Sequence, residues 1–451
     1  MGQGVLTAGF TRSGGGTDGS LYCEGVPIEA IAADVGTPVY VYSSAVIRDR
    51  YERLHATLSS VPHRIHYTLK ANSNRAILRL LRELGAGADV VSSGELRKAR
   101  AAGFIGDEII FGGVGKTDDE LRDAIAAGVV LINAESAAEV RRLDEIAREL
   151  KVKAPIGIRV NPELSLRAAH DYIKTGEKGH KFGIPYGEAA GVALAASRLP
   201  NVELRGLDMH LGSQLSRIEP YKIGAARLLE LHAKLVAEGV TTIRFLDIGG
   251  GLGVRYDDES PPDLDRFARL VLPLVEDTNL TLIMEPGRFV VGNAGALVGT
   301  VLYRKQSGGK DYVITDTGMT ELLRPSHYGA FHRIEPVGER QERQEQTKAD
   351  IVGPVCETGD FLAQDREIAN VEPGDRIMVY DVGAYGYAMA SNYNARRRAA
   401  EVLVDGDRYA VITRRESYED LMRLDVDAPE WKDAEASTSG ARRRASRRTK
   451  G

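Results

Sequence analysis

The residues of this chain best placed to do chemistry begin with a lysine. In His66-Tyr67-Thr68-Leu69-Lys70-Ala71-Asn72 it closes a short apolar run. An amine there is drawn partly out of water, which lowers its pKa and prepares it to condense with an aldehyde as a Schiff base. Taken alone, a lysine at a strand end is more often a plain surface charge. Two turns can hold an anion. Leu246-Asp247-Ile248-Gly249-Gly250-Gly251-Leu252-Gly253 enters a glycine run whose backbone N–H groups can approach a phosphate closely, or which is only a tight strand-to-helix turn. Met284-Glu285-Pro286-Gly287-Arg288 is a second such turn. Glu285 offers a carboxylate that would keep a pyridine nitrogen protonated and make the ring a strong electron sink.

His210, in Leu207-Asp208-Met209-His210-Leu211-Gly212-Ser213, is either a ring to stack on an aromatic cofactor or a structural histidine. Cys356 lies in the polar, turn-rich Val352-Gly353-Pro354-Val355-Cys356-Glu357-Thr358-Gly359-Asp360 and is a candidate proton donor. Arg324 and Tyr328, with Arg288, can grip a carboxylate through forked hydrogen bonds, and solvent-exposed arginines are the bland alternative. Tyr385 is a phosphate ligand or ordinary packing. None of the nine histidines shows zinc-motif spacing, so no metal is expected.

Such residues need a scaffold that brings them together. From Ser44 to Phe289 short apolar runs alternate with helix-like stretches. Strands are expected near Arg64–Leu69, Ala88–Val91, Glu108–Phe111, Val129–Ile132, Ile156–Val160, Gly206–His210, Ile243–Ile248 and Leu282–Glu285. About eight βα units suit an α/β fold, either a (β/α)8 TIM barrel or an open doubly wound sheet. The barrel is favoured because Lys70, Ser92, Asn133, Asn161, His210, Gly249 to Gly251 and Glu285 to Arg288 fall at or just past strand C-termini, its catalytic face. Beyond Phe289 strand-and-turn patterns (Tyr312–Thr315, Asp350–Val352, Arg376–Tyr380, Tyr409–Thr413) predict a second, mainly β domain, barrel or sandwich, which the early strand Val39–Tyr42 can join. The expected division is a tail over 1–20, a segment joining the β domain over 21–43, a cofactor-binding barrel over 44–289, a substrate-binding β domain over 290–425, and a basic tail over 426–451.

At 451 residues the chain exceeds one core, and 43% hydrophobic with 27% charged residues describes a soluble enzyme. A net charge of -5 gives no global reason to expect nucleic acid or an anionic membrane as partner. Two cysteines make no disulfide framework, and the start of the chain lacks a signal peptide pattern, so a cytoplasmic location is expected. No run reaches the roughly 18 apolar residues of a membrane span. The Gly/Ser-rich start and the end in Ala441-Arg442-Arg443-Arg444-Ala445-Ser446-Arg447-Arg448-Thr449-Lys450-Gly451 bury little apolar surface and are expected to be disordered, with contact to RNA or acidic partners the lesser reading of the basic end.

From Pro38 to Tyr418 the ordered set of motifs resembles the diaminopimelate decarboxylase family of fold-type III pyridoxal-phosphate enzymes. HYTLKAN resembles its cofactor-lysine motif, GLDMHLGSQ its ring-stacking histidine strand, and LDIGGGLG with EPGRF its phosphate and ring-nitrogen loops. DTGMTELLRPSHYGAFH, GPVCETGD and DVGAYGYAMASNYN are similar to its C-terminal signatures in the same order. The resemblance implies an alanine racemase-like barrel and pyridoxal 5'-phosphate, held by Lys70, His210, Ser213, Gly250, Gly251, Glu285, Pro286, Gly287, Arg288 and Tyr385. It implies meso-diaminopimelate as substrate, bound by Arg288, Arg324, Tyr328, Glu357 and Tyr385, with Lys70 and Cys356 catalytic and L-lysine and CO2 as products.

It further implies a homodimer in which Cys356 and Glu357 of one subunit complete the other's site, and a mobile loop over His170–Gly176 leading to Lys181–Ile184. Thr68, Ser93 and Thr358 depart from residues common in the family, in size-tolerant ways. Other readings are a decarboxylase of another diamino acid or of carboxynorspermidine, a silent homologue, and a racemase, which Glu285 disfavours.

Overall fold

The apolar runs between Arg64 and Glu285 become parallel strands because each is bounded by residues that start helices. Asn74, Ser92, Thr117 and Ser136 cap the N-termini of helices Arg75–Glu83, Ser93–Ala102, Asp118–Ala127 and Ala137–Leu150, each side chain accepting a backbone N–H of the first turn. Ser92, expected among the residues of the catalytic face, is such a cap. The computed structural model describes residues 9–12, 20–164, 179–338 and 346–432.

Strands His63–Thr68, Gly87–Val90, Ile109–Phe111, Leu131–Ala134, Ala154–Asn161, Val202–Asp208, Phe245–Asp247 and Thr281–Met284 pair in parallel in chain order. The last returns to the first, with Met284 beside Ile65, and closes the barrel. All of the expected barrel strands are therefore present, with ends shifted by a few residues.

Side chains two apart on a strand share a face. On the inner face this alternation runs from small or apolar residues low in the barrel to polar and charged ones at the top: Gly87 to Asp89, Leu131 to Asn133, Gly157 to Arg159, Gly206 to Asp208, Phe245 to Asp247, and Ile283 to Glu285. Ile110, Leu131, Phe245 and Ile283 form a separate buried cluster that plugs the lower barrel. Each such side chain contributes about 1.5–3 kcal/mol by leaving water, which offsets the cost of the buried charges stacked above.

After the barrel the chain forms a mostly antiparallel sheet. Its long strand Gly295–Ser307 pairs with Lys310–Thr315, Arg376–Val379 and the early Val39–Ser43, which in turn lies parallel to Ala400–Asp405. The early strand thus joins the β sheet as its sequence suggested. The strands Gly295–Ser307, Phe361–Ala369 and Ala400–Asp405 were not anticipated.

The expected disorder over 1–20 is corrected in part. Phe10–Arg12 is a strand paired with Leu21–Cys23, and the ring of Phe10 is buried edge-on to Tyr380. Arg12 ties the same strand to the Pro336 carbonyl at 2.6 Å. The loop expected over His170–Gly176 lies outside the described residues. The described residues beyond Arg415, 416–432, belong to a separate unit. Its described part contains a short helix, Tyr418–Met422, capped reciprocally by Ser417 and Asp420. Among the described residues no helix is long and apolar enough to cross a membrane.

Candidate active site

Strand His63–Thr68 delivers Lys70 to the barrel mouth through three ties. Thr68 N–H donates to the Pro286 carbonyl at 3.1 Å, Thr68 Oγ1 to the Glu285 carbonyl at 2.9 Å, and Leu69 N–H to the Asp89 carbonyl at 3.0 Å. The first glycine turn packs onto the second. A Cβ on Gly250 would stand 2.0 Å from the Glu285 carbonyl oxygen, and one on Gly251, whose φ is +96°, would stand 2.3 Å from that of Gly212. Only glycine permits this approach.

The mouth opens into a cavity of about 430 Å3, within the usual range for small-molecule sites. Of the residues singled out from the sequence, Lys70, His210, Ser213, Gly251, Glu285, Gly287, Arg288, Arg324, Tyr328 and Tyr385 line it. Gly250 and Pro286 lie directly behind. The Gly250 carbonyl accepts the hydroxyl of buried Tyr221 at 2.8 Å. Cys356 and Glu357 are not brought to the cavity of their own chain. They sit on an exposed loop whose shape is set by Asp360, a buried carboxylate that accepts Met319 N–H and Val355 N–H at 2.6 Å each.

Tyr385 comes from the β part of the chain. Its N–H donates to the Ala71 carbonyl at 2.8 Å, and Asn72 Nδ2 donates to the Gly383 carbonyl at 3.3 Å. Tyr385 has φ +60°, a left-handed backbone that costs a side-chain-bearing residue roughly 1–2 kcal/mol. That strain sits one hydrogen bond away from the residue after Lys70.

The floor of the cavity is acidic. Asp208, Asp247 and Glu285 present carboxylate oxygens within 4.8 Å of one another, with Asp89 close by and Lys70 and Arg159 lining the same recess. Burial and this crowding push Glu285 and Asp208 well above the usual carboxylate range, and burial pushes Asp247 up to about 7. The side chain of Lys70 is open to the cavity but surrounded by protein as an interior group is. Burial alone would lower its pKa. Tyr385, Asp89 and Glu285 outweigh burial and hold the ammonium above its ordinary value. The expectation of a lowered pKa is therefore corrected: Tyr385 and the acidic floor together favour the charged form of Lys70. His210 behaves oppositely, since burial and the charges of Lys70 and Arg159 drive its pKa well down. Gly250 N–H points at its Nδ1 at 3.3 Å, which favours a neutral ring protonated at Nε2.

The far wall is basic. Arg288 donates from Nη1 to Tyr256 Oη at 2.6 Å and from Nη2 to Ser213 Oγ at 2.9 Å. Arg324 lies over the ring of Tyr256, 4.5 Å from its centroid, with Nη1 2.8 Å from His332 Nε2. Both guanidiniums are about 7% exposed, and neither has a carboxylate partner among the described residues. A buried arginine cannot shed its charge, so such a wall favours an anion.

Sequence reading missed the floor acids Asp89, Asp208 and Asp247, their cation Arg159, and the wall residues Tyr256 and His332. The floor had a signal, since each of these charges interrupts an otherwise apolar strand. Tyr256 and His332 had none.

A closed barrel with a strand-end lysine, two turns that can take an anion and an acid of raised pKa at its mouth suits the class of pyridoxal-dependent decarboxylases. Residues 44–292 match the family model described as "Pyridoxal-dependent decarboxylase, pyridoxal binding domain". The chain is 46% identical over 404 residues to the diaminopimelate decarboxylase of Pseudomonas aeruginosa, covering 90% of this chain and 96% of that one. It is 45% identical over 412 residues to that of Aquifex aeolicus, covering 91% and 96%. The crystal structure of diaminopimelate decarboxylase from Helicobacter pylori complexed with L-lysine superimposes with a TM-score of 0.84 at 39% identity, covering 88% of this chain and 98% of that one. Within its class, this chain belongs to the diaminopimelate decarboxylase family. The site fits pyridoxal 5'-phosphate: it has an amine for the aldehyde, a flat neutral imidazole, a proton-bearing acid, and a cradle that a single Cβ would fill.

Proposed function

We propose that the chain removes CO2 from meso-2,6-diaminopimelate to give L-lysine, in the cytoplasm, as a step of lysine biosynthesis. The observation that carries this reading is the pair of buried guanidiniums, Arg288 and Arg324, without a carboxylate partner among the described residues, in the same cavity as Lys70. Decarboxylation consumes one carboxylate of the substrate, so a second anion grip is useful only if the substrate has a second carboxylate. Ornithine, arginine and lysine have none at the far end and would leave both charges unanswered.

Bound pyridoxal phosphate supplies an aldehyde that captures amines and a ring that accepts the electron pair released with CO2. Lys70, whose side chain lines the cavity, would hold it through its amine. His210 offers its neutral face to the ring, and the turns at Gly250–Gly251 and Pro286–Gly287 would hold the phosphate with Ser213 and Tyr385. Glu285, which keeps its proton to unusually high pH, can hold that proton at the ring nitrogen. Arg288, Arg324 and Tyr328, which line the same cavity, would orient the distal carboxylate.

A proton must then return to the α-carbon. The cavity of one chain is lined by neither Cys356 nor Glu357, and both stand exposed on a shaped loop. This supports a homodimer in which Cys356 of a second copy delivers that proton and Glu357 pairs with the distal ammonium.

Lysine release from meso-diaminopimelate by purified protein, with and without added cofactor, tests the assignment. Cofactor-dependent release is expected. Faster turnover of L-ornithine or L-lysine than of meso-diaminopimelate would sink it.

A further inference from the structure

Arg324 opens the short helix Arg324–Tyr328, and Gly329, in a left-handed turn, reverses the chain so that His332 comes back beneath it. His332 is wholly buried. Its Nδ1 lies 2.8 Å from the Tyr380 carbonyl oxygen, which can only accept, so Nδ1 carries the hydrogen. Its Nε2 lies 2.8 Å from Arg324 Nη1, which can only donate, so Nε2 presents a lone pair. The two bonds select one tautomer of an uncharged ring. Its charged neighbours are the guanidiniums of Arg324, Arg288 and Arg366, and all three oppose its protonation. Tyr256 completes the arrangement, lying edge-on to His332 at 5.3 Å between ring centroids and flat against Arg324.

We infer that His332 is a positioning residue for substrate recognition: a neutral acceptor that fixes the direction of the Arg324 guanidinium without cancelling its charge. The choice of acceptor matters. A carboxylate in its place would bind Arg324 more tightly, but the substrate's anion would then have to compete with a built-in one. An imidazole fixed as the Nδ1–H tautomer orients the fork and leaves its full positive charge for the ligand. Arg288 is supported in the same manner by the neutral hydroxyls of Tyr256 and Ser213, so the whole wall is held by uncharged acceptors. The inference rests on the reading that Arg324 receives the distal carboxylate.

The test uses steady-state kinetics of the holoenzyme with meso-diaminopimelate, alongside the visible absorbance of bound cofactor. Losing a hydrogen bond to a charged group corresponds to roughly 10- to 100-fold in affinity. His332→Phe is therefore expected to raise KM by about that factor and to leave kcat within about threefold and the cofactor absorbance intact. His332→Gln, whose amide oxygen can replace Nε2 as acceptor, is expected to recover most of the loss. His332→Glu is expected to raise KM with the cofactor absorbance unchanged.

Arg324→Met separates the two layers of the argument. If it leaves KM unchanged, the reading of Arg324 as an anion grip fails, whatever His332 does. If it raises KM but His332→Phe does not, the inference about His332 fails. It is equally overturned if His332→Phe lowers kcat and cofactor absorbance together with affinity, because that is the mark of a merely structural histidine. Should His332→Phe not fold, His332→Glu decides, and an unchanged KM there overturns the proposal.

Discussion

The two ends of the cavity bury charge of opposite sign and deal with it by different means. On the floor, Asp89, Asp208, Asp247 and Glu285 crowd together around Lys70 and Arg159, and burial and that crowding push all four toward their protonated forms. On the wall, Arg288 and Arg324 share no carboxylate among the described residues, and a guanidinium has no accessible neutral form. The floor can thus adjust itself by titrating, whereas the wall is completed only by something that arrives. One end handles protons and the other selects ligands.

The largest effect should come from the residue that faces the floor as a nucleophile. Lys70→Ala is expected to abolish the visible absorbance of bound cofactor and to lower lysine release by at least about three orders of magnitude. Retention of both would remove the floor from the chemistry. Glu285→Gln should lower kcat by roughly 10- to 100-fold and move KM little, because it removes an interaction that matters as charge develops in the ring. A change confined to KM would show that floor and wall do the same job.

The smallest effect concerns stability. The folded-state pKa of Asp247 is raised to about 7, so its contribution to stability is present below the ordinary carboxylate range and is lost as pH rises through about 7. Between those limits Asp247→Asn should flatten the fall in Tm of cofactor-stripped protein, and Arg324→Met should not. Equal slopes in all three proteins would erase the distinction between an end that titrates and one that does not.

Much of this arrangement was legible in the chain itself. The barrel strands follow from apolar runs bounded by capping residues, and the positions of Lys70, His210, Gly250 and Glu285 follow from their place at strand ends. What stayed hidden depends on contacts far apart in sequence. The net upward shift of Lys70 needed Asp89 and Tyr385, and Tyr385 arrives from more than 300 residues away. The support of Arg324 by His332 needed the Tyr380 carbonyl to choose a tautomer. The strand Gly295–Ser307 has an apolar, buried first half and an exposed, polar second half, so no single pattern marks its whole length. The small N-terminal sheet rests on a few buried side chains, Phe10, Leu21, Cys23 and Val26, which composition averages away.

The β sheet places Val39–Ser43, buried along its whole length, between Gly295–Ser307 and Ala400–Asp405. During synthesis the barrel strands, ending at Met284, can all emerge before the second of these partners exists. Until then one side of an apolar strand near the start of the nascent chain has nothing to pair with. An exposed strand edge of that kind invites association with other chains, so for this protein the hazardous interval of biogenesis lasts until Ala400–Asp405 has emerged.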